Sequence, residues 1–411
     1  MKATLSASAL SEAVRLVSDI AFGGRASSGN YRPVLSLNVE KSHMVVAGVT
    51  DTFAVTRRVE CMGSHKPSTV LLTVQADELG AAVNCFSPWA MIDLTLGDGP
   101  SIILSTSSST LAVPIRGVGK SLPSEPTERP ITADIGAEDL LDLAGVTRLI
   151  GVEKFRLEFT QWVVHFSTDG AVSICGNGGI FGVIERREMR PFAASGDWML
   201  TVNTAHVPPL RRLLSHANGG MVSIRNWDGD QIAATLATGG TCLDLFGMPR
   251  LPYPDVNKFI ERSCRSRLVL EVADIAGIVK RLKDSNFSKY IRAHRPHWTR
   301  LVLHDKGSAL TFSSLDEKGI SDRLGVLAYE TDVTCAPEPS ITILSEYIET
   351  IAYFGKRYGY AEVELVDGSK PLLIGFSDEP RLSGRQWVRD LKLRGLRRMT
   401  MLVGIKRPDQ P

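Results

Sequence analysis

The segment Met1–Val17, MKATLSASALSEAVRLV, sets the reading of the whole chain: a short alternating apolar strand, a few small polar residues, then an amphipathic helix. Ala9, Leu10, Ala13, Val14 and Val17 recur at helical spacing and form one apolar face, with Glu12 and Arg15 opposite. The same order returns near Ser68 (STVLLTVQADELGAAVNCF), Pro130 (PITADIGAEDLLDLAGVTRLI), Asp197 (DWMLTVNTAHVPPLRRLL), Arg267 (RLVLEVADIAGIVKRL) and Ser340 (SITILSEYIETIAYF). Starts spaced by roughly 60 to 75 residues leave room for further strands in every copy, so the chain reads as an array of repeated folding modules. Function is to be sought in the array.

Between the helices lie alternating stretches such as LSLNVE, HMVVAGVT and FAVTRRVE, which read as half-buried antiparallel strands. The second helix buries Leu79, Ala82, Val83 and Phe86, the third Leu140, Leu141 and Ala144 as it runs to Arg148, and the fourth Leu210, Leu213 and Leu214. Pro208 and Pro209 are tolerable there because the first helical turn has no internal partner for its N–H groups. Ile275, Ile278, Val279 and Leu282 face the core in the fifth helix; Ile348, Ile351 and Ala352 do so in the sixth, expected over Leu344–Phe354. The Pro- and Ser-rich stretch Lys120–Arg129 and the proline-marked LPYPD mark two linkers. The fold class is therefore α+β, with three similar domains at 1–129, 130–262 and 263–411, about six helices and six small sheets. A basic stretch at 378–398 does not fit the repeat.

With 411 residues, 43% hydrophobic and 22% charged, each module can bury a core. No leader or membrane-length apolar run is evident, which predicts a soluble, cytoplasmic protein. Six cysteines scattered without zinc-like spacing read as buried thiols. The formal charge by expected domain is 0, −3 and +5, so one end could meet a polyanion.

No residues converge on catalysis, so an enzyme is not expected and an α+β hydrolase is only a remote alternative. His294 and His297 flank a proline in a basic loop, without a carboxylate at metal-ligand spacing. GNGG at 176–179 lacks the following GK[ST] of a phosphate loop, and Ser215 with His216 has no triad pattern. No cofactor or metal is expected.

Rotated repeats close into rings or run on as solenoids. If helices about 10 Å wide line a ring, six leave a hole of roughly 9 Å and twelve roughly 28 Å. Duplex DNA needs more than about 16 Å, so only a dimeric ring could enclose it. Such a ring requires cations on its helices for sequence-independent phosphate contact; Arg15, Arg25, Arg148, Arg211, Arg212, Lys280, Arg281 and Lys283 are the candidates.

The opening MK..LS...L..AV..VS, the RPVL after the first helix, the GVTDTFAVTRRV strand pair, the TVQADEL helix entry and LPYPD resemble the bacterial DNA polymerase III beta subunit family, the DNA sliding clamps. The resemblance covers nearly the whole chain. It implies three clamp domains, a head-to-tail homodimeric ring around duplex DNA, tethering of the DNA polymerase III catalytic subunit and other replication or repair proteins, a clamp loader, and a cytoplasmic, nucleoid-associated location. By position, a partner-peptide pocket would be lined by Gly176, Gly178, Phe181, Pro254, Phe259, Met401, Val403 and Ile405. Leu111 and Val113 would lie at the dimer interface. The chain departs from the family at Asn177–Phe181, in its MLVGIKRPDQP ending and in the 378–398 insertion, which bears on which peptides fit. The alternative reading is a clamp-like scaffold without a ring, or a drug-insensitive spare clamp.

Overall fold

The computed structural model describes residues 2–23, 33–40, 42–66, 71–119, 122, 126–144, 161–166, 171–177, 181–188, 193–194, 198–227, 232–247, 266–282, 298–304, 309–314, 321–331, 340–344, 348, 351–353, 355–356, 358–365, 372–377 and 398–403. The chain forms two compact units, Met1–Ala144 with Pro191–Arg250 and Gly145–Arg190 with Leu251–Pro411. These units cut through the expected second domain.

In chain order the first third supplies β1 (Lys2–Ser6), α1 (Ala7–Phe22), β2 (Val34–Val39), β3 (His43–Val49), β4 (Phe53–Glu60), β5 (Met62–Lys66), β6 (Leu72–Gln75), α2 (Ala76–Asn84), β7 (Met91–Leu96), β8 (Ser101–Ser105) and β9 (Thr110–Val118). The second supplies β10 (Ile131–Gly136), α3 (Ala137–Ala144), β11 (Gln161–Phe166), β12 (Ala171–Asn177), β13 (Phe181–Glu188), β14 (Ala193–Ala194), β15 (Trp198–Asn203), a single turn at Thr204–His206, α4 (Val207–His216), β16 (Met221–Asn226), β17 (Ile232–Thr238) and β18 (Thr241–Phe246). The third supplies β19 (Ser266–Glu271), α5 (Val272–Leu282), β20 (Trp298–His304), β21 (Ala309–Ser314), β22 (Ser321–Gly325), β23 (Ala328–Thr331), β24 (Ser340–Leu344), β25 (Tyr360–Leu365), β26 (Leu372–Ser377) and β27 (Arg398–Val403). Leu344, expected to open the sixth helix, instead closes β24, while Ile348, Ile351 and Ala352 are buried as expected.

Strand pairing repeats in all three thirds. The leading strand pairs with the fifth and seventh: β1 with β5 and β7, β10 with β14 and β16, β19 with β23 and β25. The second, third and fourth strands form β2-β3-β4, β11-β12-β13 and β20-β21-β22. The last three form β7-β8-β9, β16-β17-β18 and β25-β26-β27.

Six small sheets are not what results. Among the described residues β4 pairs with β18 and β13 with β27, which fuses the sheets of successive thirds. The first unit thus holds one sheet of 14 strands, ordered β14-β10-β16-β17-β18-β4-β3-β2-β6-β9-β8-β7-β1-β5. The second unit carries β11-β12-β13-β27-β26-β25-β19-β23, and separately β22-β21-β20-β24. Ladder hydrogen bonds satisfy backbone groups that would otherwise lie at exposed edges, and this drives the fusion.

Helices are held by the faces their spacing predicts. On α1, Leu10, Ala13, Val14, Leu16, Val17 and Ile20 are buried, and each buried Leu or Ile contributes about 1.5–3 kcal/mol. Ala9 is only half-buried, as is Ala82 on α2, whose core contacts are Leu79 and Val83. Pro208 and Pro209 do open α4, with Leu210, Leu213 and Leu214 inside. The thiols depart from expectation: Cys85 is exposed, and Cys61 and Cys242 are half-buried.

Candidate functional site

The expected DNA-facing cations divide by what their side chains do. Arg15 is exposed on α1, Arg211 half-buried on α4, and Lys280 and Arg281 exposed on α5. Arg212 is engaged elsewhere: its Nη1 donates to the Ile20 carbonyl at 3.1 Å, at the C-terminal turn of α1. A cation there also meets the negative end of the helix macrodipole. Beside it Gly23 ends α1 at φ 69°, donating its N–H to Asp19 O. The left-handed backbone favours glycine at this cap, and a Cβ there would push aside the Arg212 guanidinium, the end of a flexible side chain. His216 Nε2 donates to Asp19 Oδ2 at 2.7 Å, and Ser215 Oγ donates to Arg211 O. Arg25, Arg148 and Lys283 lie outside the described residues.

Four of the expected pocket residues share adjacent strands. In the sheet, Gly176 and Met401 flank Val183 on either side, and Phe181 stands opposite Val403. Gly178, Pro254, Phe259 and Ile405 lie outside the described residues.

The β4–β18 junction is the best-defined meeting of two repeats. Leu243 stands opposite Val55 and Leu245 opposite Phe53, all buried. Gly239 and Gly240, with φ of 53° and 79°, make the two-residue turn that starts β18. Arg57 donates to Gly239 O and Thr241 Oγ1 and pairs with Glu12 on α1 at 3.4 Å. His206, 2% exposed, donates from Nε2 to Thr52 O at 3.0 Å. Its Nδ1 accepts the Asn203 N–H at 3.4 Å. Burial lowers the His206 pKa below the ordinary histidine value, partly opposed by the bond to Thr52. The Arg57 and His206 bonds are not legible in the sequence, because their acceptors are the backbone carbonyls of Gly239 and Thr52, far away along the chain.

The expected interface strand, β9, has an edge that no strand covers among the described residues. It pairs with β8 over Thr110–Pro114, and with β6 only at Ile115, Gly117 and Val118. The bonds Thr106 N–H to Ser109 O and Ile115 N–H to Pro100 O fix the phase of the hairpin. Leu111 and Val113 then bond to β8, while the backbone groups of Thr110 and Ala112 point away from it. Pro114, in the same phase, gives up an N–H only on the open side, the position an edge strand allows. The Val113 side chain is 1% exposed and belongs to the core of its own domain, so of the two interface candidates only half-buried Leu111 offers side-chain surface. β22 likewise ends its sheet.

Neither family models nor curated protein sequences match the chain. Solved structures do. The DNA polymerase III subunit beta of Pseudomonas aeruginosa superposes with TM-score 0.76 at 15% identity, over 99% of this chain and 100% of that one. The beta subunit of Thermotoga maritima gives 0.72 at 13% identity, over 99% of each chain. The Helicobacter pylori beta clamp bound to a DNA ligase peptide gives 0.68 at 14%, over 99% and 100%. This is the beta-clamp fold. Similarity at this identity establishes the architecture, from end to end of the chain. No described helix is long and apolar enough to cross a membrane.

Proposed function

We propose that the chain is a DNA sliding clamp, the non-catalytic processivity factor that closes around duplex DNA as a head-to-tail homodimer and tethers a replicative polymerase. One observation carries this reading. The fourth strand of one third pairs with the ninth of the next at β4–β18 and β13–β27, and the remaining fourth and ninth strands, β22 and β9, each keep an open edge among the described residues. Three repeats joined by one rule leave one junction unmade, and a second copy completes it twice.

The register can be carried over. In the last two strands of each repeat Leu243 corresponds to Leu111, and in the fourth strand Arg58 and Val59 correspond to Arg323 and Leu324. The pair Cys242–Thr56 then maps onto Thr110 of one copy opposite Ser321 of the other. Arg15, Arg211, Lys280 and Arg281 supply phosphate contacts of the sequence-independent kind, together with Arg25, Arg148 and Lys283. Gly176, Phe181, Met401 and Val403 belong to the partner-peptide site, with Gly178, Pro254, Phe259 and Ile405. The peptide-bound Helicobacter pylori clamp supports a short partner peptide as occupant. A clamp loader, the polymerase catalytic subunit and a nucleoid location follow from the same reading, as do three domains at 1–129, 130–262 and 263–411.

The test is topological. Loaded onto nicked circular duplex, the protein is retained until the circle is cut, and then slides off. Equal retention on circular and linear DNA means ordinary binding and overturns the proposal. A monomer at every accessible concentration favours the scaffold reading instead.

A further inference from the structure

Trp89 is 91% exposed, the most exposed of the large apolar side chains described, on a turn that is otherwise tightly fixed. Ala90 N–H bonds to Ser87 O at 2.9 Å, Ala7 N–H to Ala90 O at 2.9 Å and Ser8 N–H to Pro88 O at 3.3 Å, so the turn is pinned to the start of α1. The other thirds place a carbonyl at the same point on turns of different backbone: Asn218 and Gly219 have φ of 47° and 75°, values Pro88 and Trp89 do not share. Gly220 O accepts the first N–H of α3, from Ala137, and Gly359 O that of α5, from Val272. One residue before each of these carbonyls stand Gly219 and Tyr358. Gly219 has no side chain and a φ of 75°, and Tyr358 is 7% exposed, stacked on Phe376 at 5.9 Å between ring centroids. The bond from helix start to turn carbonyl therefore forms without an aromatic ring, and Tyr358, where a ring contributes to the fold, lies inside. Trp89 does neither, and Met91, 41% exposed, lies two residues along. A rigid, bare indole is the side chain most often found anchoring an interface.

The second third shows what this turn meets. Its Ala217–Gly220 turn directly follows α4, whose last residue, His216, reaches Asp19 near the end of α1, one repeat back. The turn after a repeat's second helix thus lies by the end of the preceding repeat's first helix. The first third has no preceding repeat in its own chain. We propose that Trp89 is an anchor of the contact between two copies, packing against the C-terminal end of α5 of the second copy. That helix is the counterpart of α1 in the third repeat. Continuity supports the same occupant. β7, which begins at Met91, lies across β8 from β9, so Trp89 stands at the Thr110 end of the sheet, two strands or roughly 10 Å in from the edge from which the copies pair. This inference rests on the head-to-tail dimer proposed above.

The test uses the full-length protein and its Trp89→Ala variant, since Trp89 does not hold the left-handed φ that would strain an alanine. The expected result is a dimer dissociation constant raised at least about tenfold by sedimentation velocity, with an unchanged circular dichroism spectrum. In protein labelled with fluorotryptophan, the fluorine resonance missing from the variant belongs to Trp89. It is expected to shift as the wild-type chain is concentrated through its dissociation constant. A dimer equally tight in both proteins, with a resonance that does not move, overturns the role of Trp89 and leaves the dimer standing. A chain that never dimerises overturns both.

Discussion

Two strands of this molecule occupy the same place in their repeats and meet different fates. β18 hydrogen-bonds to β17 on one side and β4 on the other, while among the described residues Thr110–Pro114 of β9 pairs with β8 alone. Burial follows the difference. Cys242 and Asp244 of β18 are half-buried, whereas Thr110, Ala112 and Pro114, which correspond in phase, are exposed. The backbone groups that Asp244 spends on β4 are those Ala112 turns to solvent. An edge is thus defined by its missing neighbour, since the strands themselves are alike.

The largest expected effect comes from placing proline at each of these positions. Asp244→Pro removes a ladder bond inside a continuous sheet and should cost about 3 kcal/mol or more, seen as a large fall in the urea midpoint. Ala112→Pro removes a donor only on the open side, as Pro114 already does, and should leave the midpoint nearly unchanged. It should instead abolish self-association in sedimentation velocity. If Ala112→Pro dimerises normally, β9 is not the second junction strand.

The closed junction should also respond to pH, through His206. Both ring nitrogens are used by the neutral form, Nε2 towards Thr52 O and Nδ1 from Asn203 N–H, so a second proton at Nδ1 would face another donor. The folded-state pKa is lowered, so the folded state binds fewer protons than the unfolded one. The stabilisation is therefore present above the ordinary histidine pKa of about 6.5 and is lost as pH falls towards the folded-state value. The urea midpoint of the first unit's unfolding should drop between pH 7.5 and pH 5, by about 1–3 kcal/mol equivalent. A His206→Gln variant should flatten that slope; an unaltered slope would assign the pH response to other groups.

How much of this was written in the sequence follows from the range of each interaction. The repeat and the buried faces of α1 and α4 were legible, because an amphipathic stripe such as Leu10, Ala13, Val14 and Val17 is set by neighbours three and four residues apart. The fusion of sheets was not, because pairing Leu243 with Val55 leaves no period in either segment. β5, with Met62 58% exposed, and the two-residue β14 lack the alternation that marks a strand. Val113, expected at the interface, has its side chain in the core of its own domain, since a strand's alternation alone does not say which face is inside. The exposure of Trp89 stands out only beside Gly219 and Tyr358, a comparison that needs the hydrogen bonds from the three helix starts.

Arg212 and Gly23 give an intermediate effect at the contact between α1 and α4. Arg212→Ala should cost about 1 kcal/mol, the net worth of a hydrogen bond, plus some dipole stabilisation. Gly23→Ala should cost more. It strains a left-handed backbone by roughly 1–2 kcal/mol and displaces the guanidinium that now occupies the space of the new Cβ. Combined, the two losses should be less than additive, because the alanine at 23 already removes the Arg212 bond. Full additivity would mean that Arg212 keeps its bond to Ile20 by moving.

The smallest effect separates cations that look alike in sequence. Arg212 binds Ile20 O within the protein, whereas Lys280 and Arg15 are exposed on their helices. A phosphate contact releases counterions, and each one lost lowers the salt slope of DNA binding by about 1. Lys280→Gln and Arg15→Gln should each show that reduction when affinity for linear duplex is measured across a salt series. Arg212→Gln should leave the slope unchanged while lowering stability, since its charge is held by a helix end. A slope reduced by Arg212→Gln, with stability intact, would return that residue to the DNA-facing set and make its contact with α1 incidental.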